Sequence, residues 1–428
     1  MLCRRLAVIL ALLPVLLPAR EIPIADAGAL KTALKTVQPG DVLVLRTGEW
    51  PDAKLKMKAE GTQEQPVTLR AAVPGGTIFT GDSRLQISGH HVIVEGLWFR
   101  DPSQAGGEVI ELRTSTKELA YGCVVRGCAV TSATASPKNG KTSRFCSVYG
   151  TGNTVENCHF EGKTTGGTTL VVWLTPGGEG GHFIRDNDFG PRPRLGENGG
   201  ETIRLGDSST AHLNGHCEVT GNLFHHCNGE VEIISVKSNE NHIAGNTFLE
   251  CEGAVTLRHS HRSVVENNLF LGNHRKYTGG VRIIGEDHKV VNNWFEGCEG
   301  DGSRSTISFM NAIPNSPASG YYQVKRALVA GNTLKDCAVS ISIGVQHDNT
   351  CTLPPLDCVI RDNVISSPLH QLVWLLTEAP GWKWENNVMT GRTVGIENLP
   401  GVITTMPNPA RQPPPEVMRD KVGVPWLR

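Results

Sequence analysis

The sequence predicts an all-β chain wound as a right-handed parallel β-helix, a solenoid closed at its start by a capping helix. Two observations carry that expectation. A degenerate V-x-x-N-x-F repeat runs as VTGNLF (Val219 to Phe224), IAGNTF (Ile243 to Phe248), VENNLF (Val265 to Phe270) and VVNNWF (Val290 to Phe295), its Asn residues 24, 22 and 25 positions apart. Each unit also holds short β-branched or aliphatic runs parted by Gly, Asn or Asp, which leaves no room for a helix. A unit of that length suits one coil of three short strands, with equal positions stacked ~4.8 Å apart. A four-stranded propeller blade needs about 40 residues or more.

The elements follow in chain order. Arg4 and Arg5 precede the apolar stretch Leu6 to Leu17 and the small residue Ala19, the layout of a secretory signal peptide over residues 1–20. The expected destination is therefore secreted or periplasmic. The stretch is too short to span a membrane comfortably, and no later segment is long and apolar enough to do so. Asp26 can N-cap a short helix with Leu30, Ala33, Leu34 and Val37 on one face, ended by Pro39-Gly40-Asp41 before a strand at Val42 to Leu45. Such a helix would cover the open strand edges of the first coil.

Weaker repeats extend upstream (VEGLWF from Val94, VENCHF from Val155, IRDNDF from Ile184) and downstream (VAGNTL from Val329, IRDNVI from Ile360, WENNVM from Trp384). Residues 21–400 thus read as one solenoid domain. Residues 401–428, Pro-rich from Pro407 to Pro415, read as a tail that wraps back over it. The repeated Asn suits a bend between strands, because it tolerates left-handed angles and its amide can bond to the Asn of the next coil.

The chain carries 12 cysteines, of which Cys227, Cys251, Cys298 and Cys337 each fall five residues after a repeat Asn. They are expected to stack as small buried hydrophobes. Cys351 and Cys358 flank a short loop and read as a disulfide in an oxidising compartment. With 41 basic and 42 acidic residues the formal charge is -1, so no general field holds nucleic acid or an anionic membrane. An acidic ligand has to be met by locally placed cations.

Three neighbouring units carry polar side chains where a plain solenoid would show Thr, Ser or Val: residues 229–237, 253–259 and 279–285. Period-two alternation puts Val231 and Ile233 inside and so Glu230 and Glu232 outside. The same rule sends Thr256 and Arg258 outward between Val255 and Leu257, and Arg282 outward between Val281 and Ile283. Lys237 falls beyond this strand, its side set by the bend near Ser235. One unit earlier, Asn198-Gly-Gly-Glu201 opens a similar strand ending at Leu205. Two carboxylates, one Lys and two Arg would then lie within about 5 to 15 Å of one another. An ordinary solvated face with ion pairs fits the pattern equally well.

The motif set resembles polysaccharide lyase family 6, the alginate lyases and chondroitinase B. It comprises N-G-G-E at 198–201, E-V-E at 230–232, K-S at 237–238, R-H at 258–259 and G-G-V-R-I-I-G at 279–285. The resemblance implies β-elimination on an acidic uronate polymer, with alginate favoured over dermatan sulfate. It implies Ca²⁺ held by Glu230, Glu232 and the Asn198 side chain, with Glu201 as a fourth ligand. Lys237 becomes the general base and Arg258 the donor to the leaving oxygen, with His259 and Arg282 in supporting or subsite roles; Arg304, on the side of the insertions, is a separate candidate for contact with the polymer. Two alternatives stand beside it: a polygalacturonase-like hydrolase, which needs a set of Asp carboxylates, and a non-catalytic glycan-binding solenoid. Other polar features carry less. Neighbours on a strand point opposite ways, so His225 and His226 are not expected to form a joint site, and His288 reads as a turn residue.

Overall fold

In the computed structural model, residues 19–103, 106–133, 142–175, 177, 178, 180–397, 399–404 and 410–428 are described. Most of the leader-like stretch expected at 1–20, and residues 405–409 of the tail, lie outside them. The chain winds as a right-handed parallel β-helix of three sheets, each of 14 strands among the described residues. The first sheet runs from Glu21–Ile24 to Lys383–Glu385, the second contains Ile203–Gly206, Glu232–Lys237, Gly253–Leu257 and Thr278–Ile283, and the third contains Leu223–His225, Thr247–Leu249 and Leu269–Leu271. One strand of each sheet makes a coil.

The V-x-x-N-x-F repeat is the corner between the first and third sheets. Its leading Val or Ile is buried in the first sheet, and its Phe is buried in the third. Phe189, Phe224, Phe248, Phe270 and Phe295 stack along the axis with ring centroids 4.9, 4.7, 4.5 and 4.7 Å apart. The Asn between them forms a continuous ladder. Asn222 Nδ2 donates to Asn246 Oδ1 (2.9 Å), Asn246 to Asn268 (2.9 Å), Asn268 to Asn293 (3.0 Å) and Asn293 to Asn332 (3.0 Å). Asn187 extends it at one end, and Asn363 and Asn387 at the other. The ladder Asn does not itself take the left-handed conformation. The residue before it does: Gly221, Gly245, Asn267, Asn292 and Gly331 all have positive φ, which is why that position is Gly or Asn.

The helix Ala27–Ala33 closes the first coil, with Asp26 Oδ1 accepting from Ala29 N at 2.8 Å. Leu30 faces the core, and Ala33, Leu34 and Val37 pack beside it. The helix ends well before Pro39, and a strand at Glu21–Ile24 pairs with Val42–Leu45. Cys227, Cys251, Cys298 and Cys337 are buried free thiols. The Cys351–Cys358 disulfide does not form, because Cys358 faces the main core whereas Cys351 packs outside it with Ile284, Met310, Tyr321 and Val345.

The described part of the tail runs back over the third sheet. Arg411 donates to Gly331 O (2.6 Å) and Asp362 O (2.6 Å), Val417 N to Thr247 Oγ1 (2.8 Å), and Trp426 lies 5.7 Å from Trp98. Among the described residues no helix is long and apolar enough to cross a membrane.

Each ladder Asn satisfies buried groups on both neighbouring coils, so removing one leaves several of them unpaired. Asn268→Ala strips partners from Asn246 N, Ile243 O and Asn293 Oδ1 and should cost about 2–3 kcal/mol. A chemical-denaturation midpoint unchanged from wild type would show that the ladder carries no stability.

Candidate active site

The second sheet carries the polar residues. Its inward positions stack as Ile203, Ile234, Val255, Val281 and as Leu205, Val236, Leu257, Ile283, all buried in the core. Between them Arg204, Ser235, Thr256 and Arg282 form the outward row. Simple alternation fails between Glu232 and Ile234, and the site depends on it. Glu232 pairs with Ala254 while Ile234 pairs with Val255, so Ile233 is an extra residue, a β-bulge. Glu232 and Lys237 are five residues apart and would otherwise point to opposite faces. The bulge restores Lys237, the last residue of its strand and not a residue beyond it, to the outer face. Val231, expected inside, instead lines an outer cleft.

A second irregularity sits one coil on, where Gly253 pairs with Thr278 but Val255 with Val281. Only glycine fits there: a Cβ on Gly280 would lie 2.2 Å from Thr306 O.

On this face Glu201, Glu230 and Glu232 each present an oxygen within 4.8 Å of the other two. Lys237 Nζ is 3.8 Å from Glu201 Oε1. Arg258 Nε and Arg282 Nη1 approach Glu232 Oε1 at 3.5 and 3.6 Å. Arg258 N and His259 N both donate to Val236 O, at 2.9 and 3.0 Å, which fixes the turn leaving that strand. Behind Arg258, His259 Nδ1 is 3.3 Å from Ser208 Oγ and its Nε2 is buried without a partner. Burial, with the charges of Arg258 and Lys237 beside it, holds the imidazole down to about 3, so it is neutral near pH 7. Burial first, then Glu201 and Glu232, pushes the Glu230 carboxyl up to about 8.

Two clefts flank the acidic group and share Glu197 and Asn198 at their border. One, of about 390 Å³, is lined by Glu230, Val231, Tyr277 and Arg304. The other, of about 340 Å³, is lined by Arg144, Thr168, Glu201 and Arg204. Asn198 therefore borders the clefts that hold Glu201 and Glu230, and Arg304, its guanidinium 5.4 Å from the Tyr277 ring, lines the cleft of Glu230. Glu201, Glu230, Glu232, Lys237, Arg258 and Arg282 are thus joined by contacts on one face, with Asn198 and Arg304 in the flanking clefts. His225 and His226 separate as expected: His225 Nε2 pairs with Asp188 (2.9 Å), His226 with Glu250 (3.6 Å). His288 is fully buried, held by Ser260 O and Ile284 O.

Two groove residues escaped the sequence reading. Tyr321 accepts from Arg282 Nη2 at 2.7 Å and lies 4.1 Å beneath the Arg258 guanidinium, holding both cations. It stands in an insertion outside the repeat, where periodicity is silent. Arg204 lies 4.7 Å over Trp173 and has no carboxylate partner among the described residues. Its signal was present, since I-R-L at 203–205 alternates like V-R-I at 281–283.

The sequence profile of Chondroitinase B matches residues 24–408. The PL6 family alginate lyase AlyGC is 34% identical with a TM-score of 0.89, over 95% of this chain and 58% of that one. A mannuronic acid specific polysaccharide family 6 lyase from human gut microbiota is 28% identical with a TM-score of 0.80, over 87% of this chain and 86% of that one. Alginate lyase AlyF-OU02, in complex with G6, shares the fold at 21% identity and a TM-score of 0.78, over 95% of each chain. No curated protein sequence matches. The chain spans little more than half the length of AlyGC, yet the profile runs through nearly all its coils, and the chain belongs to the Chondroitinase B family, polysaccharide lyase family 6.

Proposed function

We propose that the chain cleaves an acidic uronate polymer, alginate foremost, by calcium-assisted β-elimination that leaves an unsaturated uronate end. The observation that carries this reading is the convergence of three carboxylates, an amine and two guanidiniums on one outer face. The alginate lyases among the similar structures support the substrate class, and the Chondroitinase B profile keeps dermatan sulfate as the second substrate to test. A hydrolase is less well supported, because a polygalacturonase-like enzyme needs a set of Asp carboxylates, and these carboxylates are Glu set beside an amine and two guanidiniums.

Elimination takes the weakly acidic proton on C5, next to a carboxylate whose charge opposes forming a second anion. Glu201, Glu230 and Glu232, with the Asn198 side-chain oxygen, would hold Ca²⁺, which favours several hard oxygen ligands. The donor set fits: Glu201 Oε2 and Glu230 Oε1 are buried with no hydrogen-bond partner, as oxygens reserved for a cation would be. When bound, the ion supplies positive charge to the substrate carboxylate and to the enolate-like charge that develops on it.

Lys237 Nζ is the group that accepts the C5 proton. The released electron pair forms the C4=C5 bond as the C4–O bond breaks. Arg258 donates to the departing oxygen; its Nη1 is buried without a partner, a donor kept available. Arg282, fixed by Tyr321, and the neutral His259 orient the sugar, while Arg204 and Arg304 meet further carboxylates of the polymer in the two clefts.

Lys237→Ala should lower formation of the ultraviolet-absorbing unsaturated product by about 100-fold or more, with polymer binding and fold retained. Substantial turnover in that variant excludes Lys237 as the base. Mannuronate and guluronate block polymers and dermatan sulfate, each with and without chelator, resolve the substrate.

The metal reading has a pH signature. The folded value of Glu230, about 8, lies above its ordinary 4.5. Its protonated form therefore stabilises the metal-free fold fully below about pH 4.5, and that contribution is lost as pH rises through about 8. In EDTA the melting temperature should fall between about pH 5 and 8, and added Ca²⁺ should raise it most at the alkaline end. A Ca²⁺ effect that shrinks with rising pH contradicts the assignment.

A further inference from the structure

Beneath the acidic group lies a cation with no direct part in the chemistry above. Arg192 is 3% exposed and pairs with no carboxylate among the described residues. Its Nη1 donates to Glu201 O (2.6 Å) and Thr169 Oγ1 (3.3 Å), and its Nη2 to Gly167 O (2.8 Å), Thr165 O (3.2 Å) and Gly199 O (3.3 Å). Its backbone grips a third segment, since Arg192 N donates to His226 O (3.1 Å) and Asn228 N to Arg192 O (2.9 Å). Residues 165–169, 199–201 and 226–228 come from successive coils. The second of these carries Glu201, and the third leads directly into Glu230.

The packing around the guanidinium is built for it. A Cβ on Gly229 would fall 2.1 Å from Gly200 O and 2.9 Å from Arg192 Nε, and one on Gly200 would fall 2.4 Å from Gly229 O. The two ligand-bearing loops can approach this closely only as glycines, with Arg192 behind them. An ionised guanidinium is expensive to bury, and here the cost is offset by backbone carbonyls in place of a counter-charge.

We propose that Arg192 is a positioning residue for the metal site: its guanidinium binds the carbonyls of the 165–167 and 199–201 segments and packs under Gly229, so that it holds Glu201 against Glu230 at the spacing a divalent cation requires. The inference rests on the calcium reading given above. It also has a sign that separates it from electrostatics. Arg192 is a positive charge close to Glu201 and Glu230, so by Coulomb's law alone its removal would tighten cation binding. Positioning requires the opposite.

The test is calorimetric titration of Ca²⁺ into the metal-stripped full chain, for wild type, Arg192→Gln, Arg192→Lys and Lys163→Met. Lys163 is an equally buried neighbour whose Nζ donates to Thr165 O (2.6 Å) and Gly166 O (2.9 Å) but reaches neither ligand loop. It therefore reports general loosening of the same region. Arg192→Gln should weaken Ca²⁺ binding ~10-fold or more, in the range for groups that orient metal ligands. Arg192→Lys, which keeps the charge but cannot span five acceptors, should fall between Gln and wild type. Lys163→Met should lower the melting temperature and leave Ca²⁺ affinity near wild type.

Equal or tighter binding by Arg192→Gln overturns the role, as does an equal loss in Lys163→Met. Should Arg192→Gln not fold, Arg192→Lys decides alone, and wild-type affinity there overturns the proposal. Wild-type protein that takes up no Ca²⁺ defeats the calcium reading itself and this inference with it, whereas wild-type uptake with indifferent Arg192 variants defeats only the latter.

Discussion

The asparagine ladder is the interaction on which the remaining geometry rests. Each ladder amide is shared between neighbouring coils, so it fixes the rotation of one coil against the next as well as their spacing. The ladder is indifferent to what the chain does between its rungs. Asn246 and Asn268 are 22 residues apart and bond at 2.9 Å; Asn293 and Asn332 are 39 apart and bond at 3.0 Å. The extra residues leave the coil as insertions, including the one that brings Tyr321 over Arg258 and Arg282. A fixed register with free loops is what allows four coils to contribute to one centre.

Within that register a site still needs side chains on the correct face, and strict alternation cannot supply them. Glu232 and Lys237 have opposite parity in sequence and the same face in the structure, the difference being the extra residue Ile233. Bulges are found beside active sites because they re-aim one part of a strand without disturbing the other. Here Ile234 and Val236 remain in the core while Glu232 turns outward.

This explains what could be read in the sequence. The ladder, the Phe stack and the buried cysteines repeat from coil to coil, so the pattern announced them. Arg258 and Arg282 also obey alternation and were legible from Val255, Leu257, Val281 and Ile283. The bulge at Ile233 does not recur at the same position from coil to coil and leaves no periodic trace, so Val231 was misassigned to the interior and Lys237 could be placed only by resemblance. Tyr321 lies in an insertion, and Arg192 looks like any surface arginine until the three loops close around it. The Cys351–Cys358 pairing failed for a related reason: closeness in sequence does not decide whether two residues face the same core.

The three outer faces of the solenoid then divide according to how their charges are met. On the first sheet, arginines pair across coils with carboxylates of their own, as Arg126 with Glu95 (2.7 Å) and Arg185 with Glu156 (2.8 Å); such exposed pairs add little stability. The third face is covered by the tail, whose Arg419 reaches Asp188 (3.3 Å) beside His159 and His225. There, against the cost of burial, Asp188 and Glu161 push the His159 imidazole up to about 8, so the cluster is balanced internally. On the second face the balance is left open. Lys237, Arg258 and Arg282 stand 3.5–3.8 Å from carboxylates that must also serve one another, and Arg204 has no acidic partner among the described residues. A nearly neutral chain thus presents acid for a cation and base for a polyanion on one face, where three clustered carboxylates share an amine and two guanidiniums from other coils.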